Sequence, residues 1–143
     1  MRLLVTNVAQ GMPEIQDGEI EEEHRVTDRF SAELMRGSLD MMVLSVLTQG
    51  PQYGYSIQQQ LREATRGRVP LPAGTLYPLL HRLEAEKFIL SRWDDSTGRR
   101  RKWYEITKPG SARLERQAVQ WRAYADCIRD LLEAAPGVRP ATA

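Results

Sequence analysis

Residues able to do catalytic or metal chemistry are few in this sequence. Its 143 residues hold two histidines, His24 and His81, and one cysteine, Cys127. There is no glycine-rich phosphate loop and no pair of carboxylates placed around a common pocket, so an enzyme is not expected. The soft ligands do not cluster at zinc-site spacing, and neither a metal nor a cofactor is expected. The chemistry that the spacing does offer is neutralisation of phosphate. Four successive cations, Arg99, Arg100, Arg101 and Lys102, repel one another and are best explained by anions waiting outside. A solubilised hairpin end is the plain alternative.

A second candidate is the stretch from Pro72 to Glu86. Leu76, Leu79, Leu80 and Leu83 fall at i, i+3, i+4 and i+7, which gives a helix one apolar stripe. The other positions include Ala73, Thr75, Tyr77, Pro78, His81 and Arg82, mostly short or flat groups that suit the close approach needed to enter a DNA major groove. An ordinary amphipathic core helix would show the same stripe. Thr75, Tyr77, Pro78 and His81 are the candidate DNA-binding residues here, Thr75 and Tyr77 reaching phosphates as well as base edges. Arg82 is a candidate structural residue. A helix that starts near Thr75 would keep Pro78 in its first turn, where a missing N–H costs nothing.

The elements needed to position these groups can be read on either side. Residues 1–31 lack a sustained apolar period and contain the acidic run Glu19 to Glu23, interrupted only by Ile20; a mobile extension is expected, with a helical turn near Ile20 to Val26. From Ala32 to Thr48 the residues Leu34, Leu39, Met42, Val43, Val46 and Leu47 form a helical stripe that Gly50-Pro51 stops. A second helix, Tyr55 to Thr65, follows with Gly54 as a permissive N-cap and Gly67 at the C′ position. The brief loop Arg68 to Leu71 then makes the connectivity of a helix-turn-helix unit.

After Glu86 the period becomes two. Phe88 to Trp93, the polar turn Asp94 to Gly98, and Arg99 to Ile106 read as a β-hairpin. Three helices followed by a basic hairpin make a winged helix, whose wing would lie along the DNA backbone or reach into the minor groove. Thr107 can cap a last helix with Pro109 in its first turn. Along that helix Leu114, Ala118, Trp121, Ala125, Ile128 and Leu132 form a heptad seam, widened by Val119, Tyr124 and Leu131. Dimerisation through this seam is the preferred account; folding back on its own domain is the other. Trp121, with Trp93 and the methionines of the first helix, could line an aromatic effector pocket, although a tryptophan at a heptad position also serves as plain core.

Charge is unevenly spread. Up to Glu33 three basic residues face eight acidic ones, a net of −5, whereas Leu34 to Gly110 holds twelve basic and seven acidic residues, a net of +5. A polyanionic partner fits the basic middle. The single cysteine excludes an intrachain disulfide and suggests a reducing, cytoplasmic setting. No stretch approaches the roughly 20 apolar residues of a membrane span.

Gly54-Tyr55 with Ile57 and Leu61, the block Gly74-Thr75-Leu76-Tyr77-Pro78-Leu79-Leu80-His81-Arg82-Leu83-Glu84, and Arg101 to Gly110 with Leu114 together resemble the PadR family of bacterial transcriptional regulators. The resemblance runs from about Leu34 to Leu132. It implies a winged-helix homodimer that represses genes by binding a roughly palindromic double-stranded operator, released in some members by a phenolic compound or drug. Two departures stand out. Lys87 replaces the glycine usual after the recognition helix, so the helix either pays about 1 kcal/mol for a left-handed residue or runs on by one residue. The acidic extension has no counterpart in the family pattern.

The expected fold is therefore mainly α with a small β-hairpin. A winged helix-turn-helix domain spans 32–107 and a C-terminal dimerisation helix 108–134, between the extension 1–31 and a frayed tail 135–143. A winged-helix protein-interaction module that never touches nucleic acid is the alternative reading.

Overall fold

The structure, a computed structural model, describes residues 29–139. Most of the acidic extension, including the turn expected near Ile20 to Val26, and the last four residues lie outside the described residues. The described elements are α1 (Ala32–Met35), α2 (Leu39–Leu47), β1 (Gln52–Tyr53), α3 (Gly54–Ala64), α4 (Ala73–Ala85), β2 (Ile89–Asp94), β3 (Arg101–Ile106) and α5 (Lys108–Ala134).

The single helix expected over Ala32 to Thr48 is in fact two. Gly37 stands at φ +90°, a left-handed conformation that glycine reaches without steric cost. Ser38 then donates both its N–H and its hydroxyl to the Met35 carbonyl, at 3.0 and 2.9 Å. Ser31 caps the first piece by accepting from the Leu34 N–H at 3.1 Å. The break turns Leu34 outward, and it is 68% exposed rather than part of an inner stripe.

The core lies where α2, α3 and α4 meet beneath the sheet. Val43, Leu44, Val46 and Leu47 come from α2, Ile57 and Leu61 from α3, and Leu76, Leu79, Leu80 and Leu83 from α4; Ile89 and Tyr104 close it from the strands. All four leucines of the predicted α4 stripe are buried. Each contributes about 1.5–3 kcal/mol of transfer free energy relative to exposure, so this stripe fixes which face of α4 points outward. Gln52 is the buried polar residue among those described, and it is satisfied: its amide donates to the Val46 carbonyl at 2.9 Å and its oxygen accepts from Gln60 at 2.7 Å.

The helix ends depart from expectation in three places. α3 begins at Gly54 with Tyr53 as N-cap, and Gly54 serves close approach rather than capping, because a Cβ there would run into the Tyr77 hydroxyl. Its C′ position is Arg66 at φ +55°, not Gly67, and the Gly67 N–H donates to the Arg62 carbonyl at 2.8 Å. α4 begins at Ala73, not near Thr75, since the N–H groups of Thr75 and Leu76 both donate to the Pro72 carbonyl at 2.9 Å. Pro78 consequently lies in the second turn, and the bond it cannot donate would have gone to Gly74. At the far end Lys87 is left-handed, at φ +68°. Lys87 and Phe88 donate to Glu84 and Leu83, each at 3.0 Å, the bond pair of a Schellman stop.

The hairpin is present and carries a third strand. The antiparallel order is β1-β3-β2, with Gln52 opposite Tyr104 and Tyr53 opposite Trp103, while Ile89 to Asp94 runs against Ile106 to Arg101. The two residues of β1 are too few for alternation to register in a sequence. Thr107 then starts α5 as expected, accepting from the Gly110 N–H at 3.1 Å and donating its hydroxyl to the Lys87 carbonyl at 2.8 Å. α5 packs against α2 and ends at Ala134, with Ala135 as its C-cap. In the tail expected to fray, Ala135 to Val138 make a turn in which the Val138 N–H donates to the Ala135 carbonyl at 3.4 Å. Among the described residues no helix is long and apolar enough to cross a membrane.

Candidate nucleic-acid interface

Because Leu76, Leu79, Leu80 and Leu83 point inward, the outer face of α4 is left to Thr75, Pro78 and His81, which are all exposed. The N–H groups of Ala73 and Gly74 take no partner among the described residues, so two free donors open this end of the helix. Tyr77 behaves differently from its three companions. Its ring lies against Gly54, closing the corner between α3 and α4, and it keeps 36% exposure. Arg82 is structural as expected: its guanidinium forms a bidentate pair with Asp40 of α2 at 2.9 and 3.0 Å. That hydrogen-bonded carboxylate raises the Arg82 pKa further. Ser91 donates to Glu84 at 2.6 Å and ties β2 to the same helix.

The four cations at the hairpin tip are held in different ways. Arg99 and Arg100 precede β3, in the turn that Gly98 makes at φ +79°. The Arg100 guanidinium lies 4.3 Å over the Trp93 ring and 3.8 Å from Asp95. Lys102, paired with Trp93 across the strands, stands 5.3 Å over the same ring. Arg101 takes the opposite face, 4.3 Å over the Tyr53 ring, as strand alternation requires. The Arg99 side chain has no ion pair or ring contact among the described residues.

Beneath Arg101 lies a cluster that sequence reasoning missed. Asp94 Oδ2 accepts from the Tyr53 hydroxyl at 2.6 Å and from Trp103 Nε1 at 2.8 Å, and Oδ1 accepts from the Ser96 N–H at 3.0 Å. The Tyr53 and Trp103 rings are 4.3 Å apart. These hydrogen bonds, led by that from Tyr53, hold the Asp94 carboxyl well below the usual carboxylate range, and the same bond raises the Tyr53 pKa. In sequence Asp94 reads only as the first residue of a turn, and its tyrosine partner is 41 residues away, so no local signal marks the pair.

Along α5 the seam divides. Leu114 packs against the core of its own domain, because Gly110 lets the start of the helix close on the strands: a Cβ at Gly110 would collide with the Phe88 carbonyl. Leu114 is thereby removed from the exposed seam. Ala118 and Ala125 are half-buried, while Trp121 at 50%, Ile128 and Leu132 are exposed, with Val119, Tyr124 and Leu131 beside them. Trp121, Ile128 and Leu132 line a groove of about 580 Å³ together with Leu34, Met35 and Met42. The methionines of the N-terminal helices are thus next to Trp121 as expected, whereas Trp93 is not; it sits on the wing in a separate depression with Pro51 and Trp103.

A three-helix unit whose outermost helix shows a short-side-chained face, followed by a cationic hairpin, defines a winged-helix DNA-binding regulator. The model of the transcriptional regulator PadR-like family matches residues 43–116, which is more than half of the chain. The chain belongs to the PadR-like family of transcriptional regulators. Among solved structures it is similar to a PadR family transcriptional regulator from Eggerthella lenta, with 34% identity, a TM-score of 0.65, and coverage of 85% of this chain and 99% of that one. A transcriptional regulator from Clostridium thermocellum gives 30% identity, a TM-score of 0.65, and coverage of 69% and 97%. A transcriptional regulator from Mycobacterium tuberculosis is 32% identical over 90 residues, which are 62% of this chain and 81% of that protein.

Proposed function

We propose that this regulator is a repressor that binds a palindromic operator as a homodimer. The observation that carries the reading is the outer face of α4: with its leucines buried, Thr75, Pro78 and His81 are exposed beside free backbone donors. Thr75 and His81 meet base edges and phosphates in the major groove, and Pro78 lets the backbone approach closely. Tyr77 contributes at its exposed edge while bracing α3. Arg99, Arg100, Arg101 and Lys102 supply affinity that does not depend on sequence. Ala118, Trp121, Ala125, Ile128 and Leu132 join two copies, which separates the two α4 helices by about 34 Å, one helical turn, or a multiple of it.

The test is titration of a labelled duplex from the region upstream of the protein's own gene across a range of salt. Specific binding is expected, and Arg99→Ala with Arg101→Ala should reduce the slope of log K against log salt by about 0.9 for each phosphate that is no longer neutralised. A duplex bound no better than a random sequence would overturn the operator reading, and an unchanged slope would overturn the role of the wing.

The groove at Trp121 supports a small aromatic effector as the releasing signal, since its wall combines one tryptophan with methionine and leucine side chains. Phenolics or flavonoids should quench tryptophan fluorescence and weaken DNA binding, with the quenching lost in Trp121→Ala while the dimer persists. No effect of any such compound on DNA binding would remove the effector from the reading.

A further inference from the structure

A surface meant for phosphates would ordinarily avoid a carboxylate, yet Asp94 stands directly across the strands from Arg101. Its three hydrogen bonds all come from uncharged donors: the Tyr53 hydroxyl on β1, the Trp103 indole on β3 and the Ser96 amide in the turn. One side chain of β2 therefore ties the other two strands to the turn at the hairpin tip. Arg101 does not pair with this carboxylate; its guanidinium carbon lies 4.3 Å over the Tyr53 ring. A guanidinium stacked on a ring keeps its edge donors available, and a phosphate can take two of them.

We propose that Asp94 is a positioning residue for DNA binding, which fixes the Tyr53 ring so that Arg101 meets a phosphate already oriented. The inference rests on the DNA-binding reading above. An arginine held in its bound conformation beforehand loses less freedom when the phosphate arrives. Arg99, which has no such support, loses more on binding the same group.

Two effects of Asp94 have opposite signs, and that makes the inference testable. Its negative charge repels DNA, so by charge alone Asp94→Asn should bind more tightly. Positioning demands the reverse, a loss of about three- to tenfold in affinity. The experiment uses the full chain with two labelled duplexes, one from upstream of its own gene and one of random sequence at low salt. The variants are Asp94→Asn, Tyr53→Phe, Arg101→Ala and Asp94→Asn combined with Arg101→Ala. Tyr53→Phe keeps the ring and changes no charge, so it isolates the hydroxyl and should weaken binding in the same direction. The losses of Asp94→Asn and Arg101→Ala should not add, because both act through one guanidinium. A merely structural role would leave the effect of Arg101→Ala the same in either background. Tighter or unchanged binding by Asp94→Asn and Tyr53→Phe, or simple additivity, overturns the inference while DNA binding stands. If Asp94→Asn does not fold, Tyr53→Phe and its combination with Arg101→Ala decide the matter alone. A wild-type chain that retains neither duplex overturns the DNA-binding reading and this inference with it.

Discussion

Gly74 and Gly110 each occupy the first turn of a helix, and their surroundings make them opposites. A Cβ at Gly74 would meet open space, whereas one at Gly110 would strike the Phe88 carbonyl and crowd Ile106. Backbone cannot move aside as a flexible side chain can. Gly110→Ala is therefore expected to lose about 1–3 kcal/mol of stability, as overpacked sites do. Gly74→Ala should gain up to about 1 kcal/mol from better helix propensity. Urea unfolding of both variants checks the pair, and equal effects would show that the close approach of α5 to the hairpin is not needed for stability.

At the scale of elements, the stop of α4 is the place where local preference and fold disagree. Lys87 holds a left-handed backbone because the Schellman bonds to Leu83 and Glu84 require it. Lys87→Gly should raise stability by about 1 kcal/mol, since glycine adopts this conformation without a Cβ clash; a lower melting temperature would mean that the lysine side chain contributes more than its backbone costs. The same elements show what a sequence can reveal. The leucine stripe of α4 is legible because a helix writes its buried face at fixed spacing, and Thr107 is legible as a cap because its partner Gly110 is three residues on. The division of α1 from α2 at Gly37 went unread because the apolar residues keep a helical spacing across it. The strand β1 and the pairing of Tyr53 with Asp94 depend on residues 41 positions or more apart, so nothing near either residue announces them. Pro78 points to a later start because proline is usually kept to a first turn, yet α4 begins at Ala73, more than a full turn before it.

For the molecule as a whole, the second half of α5 presents more apolar surface than one domain covers. Leu131 is 72% exposed and Tyr124 65%, so charging this face should leave the fold of one chain intact. Leu131→Glu combined with Leu132→Glu is expected to weaken self-association at least about tenfold, read by sedimentation equilibrium, with the melting of the domain unchanged at low concentration. A wild-type chain that sediments as a monomer would refute the seam. The Thr107 hydroxyl bears on the same assembly in another way. It is shared between the Lys87 carbonyl just past α4 and the Gly110 amide in the first turn of α5, so the joint between the proposed reading and dimer helices is tied at both ends, a weld rather than a hinge. Where two chains join through α5, twisting one α4 against its partner would stretch both bonds at each weld. In the proposed dimer, adding one base pair between half-sites would turn them by about 34–36°, and a joint held this way would make the dimer a gauge of operator length as well as a reader of its bases.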